Sequence, residues 1–267
     1  MTVVAHGISE RFSQRRSEGR SALIPYLTAG YPDTEQSLEA LTAVAEAGAD
    51  VIEIGVPFSD PLADGPTIQA ATFAALEKGM TVEGTLQVLR SFRASWDTPV
   101  VLFSYLNPIL SYGMGRFIAD AAEAGAQGLL LTDLPAGADP DLEAEVRDGP
   151  LDLIRLLAPT TQPDRVPLVA EGGQGFLYYI SRTGVTGARE QLREGLVQEI
   201  GVLRKAVRLP IAVGFGISTP EQAAMVGAVS DGVVVGSALI NALSAGGPAA
   251  AGEMIASLRS AMDEVVA

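Results

Sequence analysis

Asp50-Val51-Ile52-Glu53-Ile54-Gly55 sets apolar side chains on both faces of an extended run, with one carboxylate in the middle. A strand half open to water alternates apolar with polar residues, whereas a strand covered on both sides reads as a continuous apolar run, as in a parallel sheet. Seven further runs of this kind follow one another along the chain: Ala22–Leu27, Pro99–Tyr105, Gly128–Thr132, Leu153–Leu157, Phe176–Ile180, Pro210–Gly214 and Gly232–Val235. Between them, apolar residues return at helical spacing over Glu35–Ala47, Ile68–Lys78, Arg116–Ala124, Arg189–Ala206 and Pro220–Val226. Strict strand–helix alternation leaves an open doubly wound sheet or a closed barrel, and eight repeats in 267 residues favour closure. The expectation is an α/β chain forming a single (β/α)8 TIM barrel over residues 1–267, with a polar helical segment over about 1–20.

The composition fits that architecture. With 48% hydrophobic residues but only 6% aromatics, the core must be built from Ala, Val, Leu and Ile, which suits close packing of helices on a sheet. No cysteine is present, which excludes a disulfide framework, a thiol nucleophile and a thiolate metal site, and agrees with a reducing compartment. Met1–Arg20 is polar where a secretory leader needs an apolar run, and no stretch reaches the ~18 apolar residues of a membrane span, so the expected location is cytoplasmic. A net charge of −14 repels nucleic-acid phosphates and argues against such partners; a small anion must be met by a local site.

Charged, Pro-rich and Gly-rich positions gather just after the strands, in Gly55–Pro66, Thr132–Pro140 and Ser181–Arg189, and in a barrel these loops form the active mouth. Two segments near the C-terminus read as an anion cradle, Gly214-Phe215-Gly216-Ile217-Ser218 after the seventh strand and Gly236-Ser237-Ala238 after the eighth. Glycine lets a backbone approach an oxyanion closely, and Ser237 stands where a helix N-terminus offers free N–H groups. The alternative is that Gly214 and Gly216 only make a tight strand-to-helix turn. Together these features point to an enzyme handling a small phosphorylated metabolite.

Glu53 needs a reason to sit in an apolar strand, because a buried carboxylate costs several kcal/mol unless it is paired, protonated or in contact with a cavity. A buried ion pair is one such reason and a catalytic role another. Asp60, in the constrained loop that follows, suits an Asx-turn or a helix cap, and Asp64 beside Gly65 and Pro66 admits the same reading. As a pair, Glu53 and Asp64 offer one carboxyl to move protons and one to stay ionised. His6, the only histidine, reads as a surface residue, so no Ser-His-Asp triad or histidine metal site can be assembled. Trp96 and the Tyr178-Tyr179 pair read as packing residues, with Tyr178 also of interest as it precedes the Ser181–Arg189 loop.

Gly55-Val56-Pro57-Phe58-Ser59-Asp60-Pro61-Leu62-Ala63-Asp64-Gly65-Pro66 closely resembles the signature of the tryptophan synthase α-subunit family. Matches extend over nearly the whole chain, through Pro25–Gly30, Tyr105–Pro108, Thr132–Pro135, Ala158–Thr160, Ser181–Gly187 and Val213–Ile217. The resemblance implies a (β/α)8 barrel that cleaves indole-3-glycerol phosphate to indole and glyceraldehyde 3-phosphate by a retro-aldol reaction without a cofactor. It implies Glu53 as the general acid/base, Asp64 as the group that holds the indole N–H, and Tyr178 as the active-site tyrosine. The phosphate cradle would be Gly187, Gly216, Gly236 and Ser237, and Ser181–Arg189 a lid carrying Arg182 and Thr186, with Thr186 reaching Asp64 on closure. It further implies that the Gly55–Pro66 loop and Asp133 face a β-subunit, in an α2β2 complex whose pyridoxal phosphate belongs to the partner.

Two features depart from the commonest pattern: Thr132 stands where many members carry proline, and Gly172-Gly173-Gln174 is unusually glycine-rich. Three rival readings are another phosphate-binding barrel such as a sugar-phosphate isomerase, a catalytically weak barrel kept to activate a β-subunit, and a free-standing lyase that releases indole.

Overall fold

The computed structural model describes residues 7–180, 189–214 and 216–264, with only the backbone of residues 189–194. Eight strands run β1 (Ala22–Thr28), β2 (Ile52–Gly55), β3 (Val100–Ser104), β4 (Gly128–Leu131), β5 (Asp152–Leu157), β6 (Leu177–Ile180), β7 (Ile211–Gly214) and β8 (Gly232–Val235). They pair in chain order, all parallel, and β8 closes on β1. The helices are α1 (Gly7–Ser17), α2 (Thr34–Glu46), α3 (Pro66–Glu77), α4 (Val82–Arg93), α5 (Leu106–Tyr112), α6 (Met114–Ala124), α7 (Pro140–Arg147), α8 (Val166–Glu171), α9 (Arg189–Ala206), α10 (Pro220–Gly227) and α11 (Ser237–Glu264). All eight expected strands are present, with ends shifted by one or two residues, the usual latitude at element termini. Among the described residues no helix is long and apolar enough to cross a membrane.

Successive strand side chains point to opposite faces, which sorts the apolar runs into two cores. Leu23, Ile52, Leu102, Leu129, Leu153 and Val233 face the helix layer. Ile24, Val51, Val101, Leu130, Ile154, Phe176, Ala212 and Val234 fill the barrel interior. By this alternation Glu53 and Gly55 share the inner face with Val51.

The N-terminal segment does more than its polarity suggests. Ile8 and Phe12, one helical turn apart on α1, are fully buried in the interior core, and the Phe12 ring lies 5.3 Å from that of Phe176. They plug the end of the barrel where the strands begin. His6 lies outside the described residues.

One hydrogen-bonding device recurs around this floor. The side chain just ahead of each even strand accepts the N–H that opens the preceding odd strand: Asp50 from Leu23 (2.9 Å), Gln127 from Val100 (2.9 Å), Gln174 from Leu153 (3.0 Å) and Asp231 from Ile211 (2.9 Å). Each satisfies a backbone donor that the ladder would otherwise leave buried without a partner. Gln174 thereby explains one residue of the unusual Gly172-Gly173-Gln174 turn. The glycines make room for Arg155: a Cβ at either would stand 3.3 Å from its side chain. Arg155 forms a buried ion pair with Glu143 and also donates to the Leu134 carbonyl at 3.2 Å.

Candidate functional site

Glu53 lies in register between Tyr26 of β1 and Val101 of β3, 1% exposed. Its Oε1 has no hydrogen-bond partner, and burial alone pushes its pKa up to about 8. Among the described residues no cation is paired with it.

Two tyrosines reach inward on either side of this carboxyl, and each needs a glycine to do so. A Cβ at Gly55 would stand 2.1 Å from the Tyr26 hydroxyl, and one at Gly214 would stand 2.2 Å from that of Tyr178. No side chain fits at such distances, so the strand-end glycines are notches for phenols. This separates the two glycines of the seventh-strand motif. Gly214 yields space to Tyr178, whereas Gly216 takes the left-handed conformation at φ 81° that favours glycine. Tyr178 is not only packing: it lines the mouth cavity, and burial and then the Glu53 charge raise its pKa. Tyr179 points the other way and donates to Glu199 at 2.8 Å. Trp96 packs against the outer core, as expected.

Asp64 hangs over the same space from the loop after β2. The loop ends where Gly65 caps α3 without a side-chain bond and Pro66 opens the helix, and Gln69 Nε2 holds the Asp64 carbonyl at 2.9 Å. Burial raises the Asp64 pKa to about 6, opposed in part by the nearby Tyr105 hydroxyl. The Asx-turn or cap expected for Asp60 is not what that residue does. Its exposed carboxylate accepts from the neighbouring Ser59 hydroxyl at 2.5 Å, because the helix that follows starts six residues later and is capped by backbone alone.

A cavity of about 390 Å³ opens at this end of the barrel. Asp64, Phe103, Thr132, Leu156 and Tyr178 form one side; Gly216, Ile217, Ser218, Gly236, Ser237 and Ala238 form the other. Of the two helices that begin there, α10 is closed by its own capping box, with Thr219 accepting from Gln222 N at 3.3 Å and Gln222 accepting from Thr219 N at 3.2 Å. The N-terminus left facing the cavity is that of α11, where Ser237 is exposed. Its aligned peptide dipoles and first N–H groups favour an anion. A Cβ at Gly236 would meet nothing nearer than 3.6 Å, so packing alone does not demand glycine there. Of the residues expected at the site, Asp64, Tyr178, Gly216, Gly236 and Ser237 line this cavity; Glu53 lies buried on the inner face of β2 and is not part of the lining, while Arg182, Thr186 and Gly187 lie outside the described residues.

Sequence reading missed Tyr26 and Tyr105 as individual site residues. Both sit in the quoted motifs, but what singles them out is a neighbour distant in the chain: Gly55 for Tyr26, and for Tyr105 the backbone N–H of Ala63, which its hydroxyl accepts at 2.9 Å. Asp133 Oδ1 accepts the Leu106 N–H at 2.7 Å and so caps the start of α5.

A family profile described as tryptophan synthase alpha chain matches residues 12–265. The tryptophan synthase alpha chain of Acidiphilium cryptum is 49% identical over 261 residues, covering 97% of this chain and 95% of that one. That of Gluconacetobacter diazotrophicus is 53% identical over 237 residues, covering 88% and 86%. Among solved structures, Mycobacterium tuberculosis tryptophan synthase superposes with a TM-score of 0.88 at 38% identity, covering 96% of this chain and 97% of that one. The alpha subunit from Legionella pneumophila gives 0.88 at 37%, covering 96% and 98%.

Proposed function

The chain belongs to the tryptophan synthase alpha chain family, and from that premise we propose how its own residues carry out the reaction. The reaction is cleavage of indole-3-glycerol phosphate to indole and glyceraldehyde 3-phosphate, a carbon–carbon lyase step in tryptophan biosynthesis. The carbon–carbon bond breaks only when the indole ring can accept its electron pair. Glu53 gives a proton to the ring carbon bearing the glycerol chain, which leaves positive charge on the ring nitrogen. Asp64, ionised, holds the ring N–H and balances that charge. Glu53, now a carboxylate, takes the proton from the adjacent glycerol hydroxyl; the aldehyde forms, the bond pair returns to the ring, and indole leaves with Glu53 reprotonated.

The observation that carries this reading is the pair of carboxyls set apart by their surroundings: Glu53 at about 8 holds its proton at neutral pH, and Asp64 at about 6 has lost its own. Tyr178 borders the reacting groups, and Gly216, Gly236 and Ser237 receive the phosphate with Gly187. Residues Ser181–Arg189, with Arg182 and Thr186, serve as the lid that excludes water. The chain works as one barrel unit in the cytoplasm and needs no cofactor of its own. Its partner is a β-subunit holding pyridoxal phosphate, in an α2β2 complex. Supporting this, Leu62 at the tip of the Asp64 loop is 94% exposed, an apolar side chain offered to solvent beside the mouth.

The test is steady-state indole release by the purified chain, alone and with a β-subunit, beside size-exclusion chromatography of the mixture. Slow release that accelerates on co-elution is the expected result. Fast release by the isolated chain without co-elution assigns a free-standing lyase instead, and no release in either state assigns a barrel kept only to activate its partner.

A further inference from the structure

We infer that Arg155 and Glu143 are a positioning pair that presets the loop between β4 and α7, and through it the wall of the cavity on the Asp64 side. The inference rests on the reading of that cavity as the substrate site. Arg155 lies on β5 between Ile154 and Leu156, which face the interior, so its own side chain is turned out under the helix layer. Glu143 stands in the first turn of α7, and both residues are buried. A buried ion pair contributes little net stability, because taking two charges out of water offsets most of their attraction, and an apolar pair of similar volume is often as stable. What such a pair supplies is one fixed geometry, and here the geometry is imposed on a loop.

Each partner also holds the backbone of that loop. Arg155 Nη1 donates to the Leu134 carbonyl at 3.2 Å, and Glu143 Oε1 accepts the Gly137 N–H at 2.7 Å, while Arg155 Nη2 and Glu143 Oε2 hold each other. Between these two anchors Arg165 Nη2 reaches the Ala136 carbonyl at 3.2 Å, and Ala138 N closes a turn on the Pro135 carbonyl at 3.0 Å. Immediately upstream, Thr132 lines the cavity with Asp64, and Asp133 accepts the Leu106 N–H that opens α5. The segment pinned from below is therefore the one that shapes this side of the mouth. The pair also accounts for the Gly172-Gly173 turn, since these glycines leave the space that the guanidinium group and its stem occupy. A glycine-rich turn, a buried ion pair and a mouth loop are thus parts of one device.

The experiment compares wild type with the double variant Arg155→Met/Glu143→Leu and with Arg155→Lys. It measures thermal unfolding, exchange of the Gly137 amide, steady-state indole release, and separate titrations with indole and with glycerol phosphate. The double variant fills the space without charge, so its unfolding temperature should stay close to that of wild type. Its Gly137 amide has lost the acceptor and exchanges faster. With the wall no longer preset, kcat/KM falls about 10- to 100-fold, the scale of a ~1 Å misplacement. Indole affinity falls with it, while glycerol phosphate affinity is unchanged, because the phosphate end rests on α11 and the loop after β7. A general loosening of the barrel would weaken both ligands alike. Arg155→Lys keeps the charge but not the fork that serves two acceptors, so its exchange and kinetics should lie between the other two. Wild-type kinetics in a double variant overturn the inference, and so do equal losses toward indole and glycerol phosphate, which would assign the pair to stability alone. If the double variant does not fold, Arg155→Lys decides, and unchanged indole release with faster Gly137 exchange overturns the inference. No indole release by wild type, alone or with a β-subunit, instead removes the reading of the cavity on which the inference rests.

Discussion

Asp50, just ahead of β2, and Glu53, within it, stand three residues apart, both buried, and the protein treats them in opposite ways. Asp50, 0% exposed at the floor of the barrel, receives Arg15 Nε at 2.6 Å, Arg259 Nη1 at 3.3 Å and the Leu23 N–H at 2.9 Å. The same arginine from α11 continues to Asp263, which also holds Arg20, so the floor carries a connected ion-pair network across chain segments far apart in sequence. Glu53, on the inner face of β2, has an oxygen with no hydrogen-bond partner among the described residues. Burial of a charge is tolerated when the charge is matched, and an unmatched carboxyl keeps its proton. One end of the barrel spends its carboxylates on holding the strands together, the other keeps one free to move a proton, as barrels that place stability below and chemistry above should do.

The sharpest way to break this contrast is to neutralise each carboxyl in turn. Glu53→Gln keeps the shape but cannot carry a proton, and should lower indole release by about 10²- to 10⁴-fold with the fold retained. Near-normal turnover of the purified variant would remove Glu53 from the chemistry. Asp50→Ala should do the reverse. It strips one partner from each of two guanidinium groups and the acceptor from the Leu23 N–H, and should cost about 3–5 kcal/mol of stability in denaturant titration, with kcat of the folded fraction unchanged. A small stability change with a large loss of rate would mean that the two ends of the strand are not separate in function.

This division was only partly legible in the sequence. Eight both-face apolar runs announce a parallel sheet because every strand here is covered twice, by the interior and by helices. Glu53 stood out because its neighbours in the chain are apolar. Asp50 did not: its meaning lies in Arg15 and Arg259, 35 and 209 residues away, and no local pattern reports them. Ile8 and Phe12 were readable in principle as an i, i+4 pair, but charged residues around them gave the segment the look of a solvated surface helix. Tyr26 and Tyr105 act through a glycine and a backbone N–H on other loops, a relation that only the closed barrel creates.

A smaller effect tests the state of Glu53 without reference to activity. Its pKa is about 8 in the folded chain and near the ordinary 4.5 unfolded, so the native state binds the extra proton. The stability this contributes is complete below about pH 4.5 and is lost as pH rises through about 8. Between pH 6 and pH 9 the wild type should lose roughly 2–3 kcal/mol from this group, by linkage. Glu53→Gln has no proton to lose, so the difference in unfolding free energy between wild type and variant should shift in favour of the variant over that window. Parallel curves for the two proteins would mean that Glu53 is matched by a charge after all.

The smallest effect is the pH dependence of catalysis, and it sets Glu53 against Asp64. If Glu53 must begin protonated and Asp64 ionised, kcat/KM rises as pH climbs through about 6, where Asp64 loses its proton, and falls through about 8, where Glu53 loses its own. Beyond either limb the rate should drop about tenfold per pH unit, since only the minor protonation state is active. A phosphate ester also titrates near pH ~6, so the acid limb holds contributions from substrate and enzyme. The basic limb has no such overlap and is the cleaner measure of Glu53. Activity that keeps rising above pH 9 would show that Glu53 enters the reaction as a carboxylate, reversing the order of its two proton transfers and with it the assignment of acid and counter-charge between the two groups.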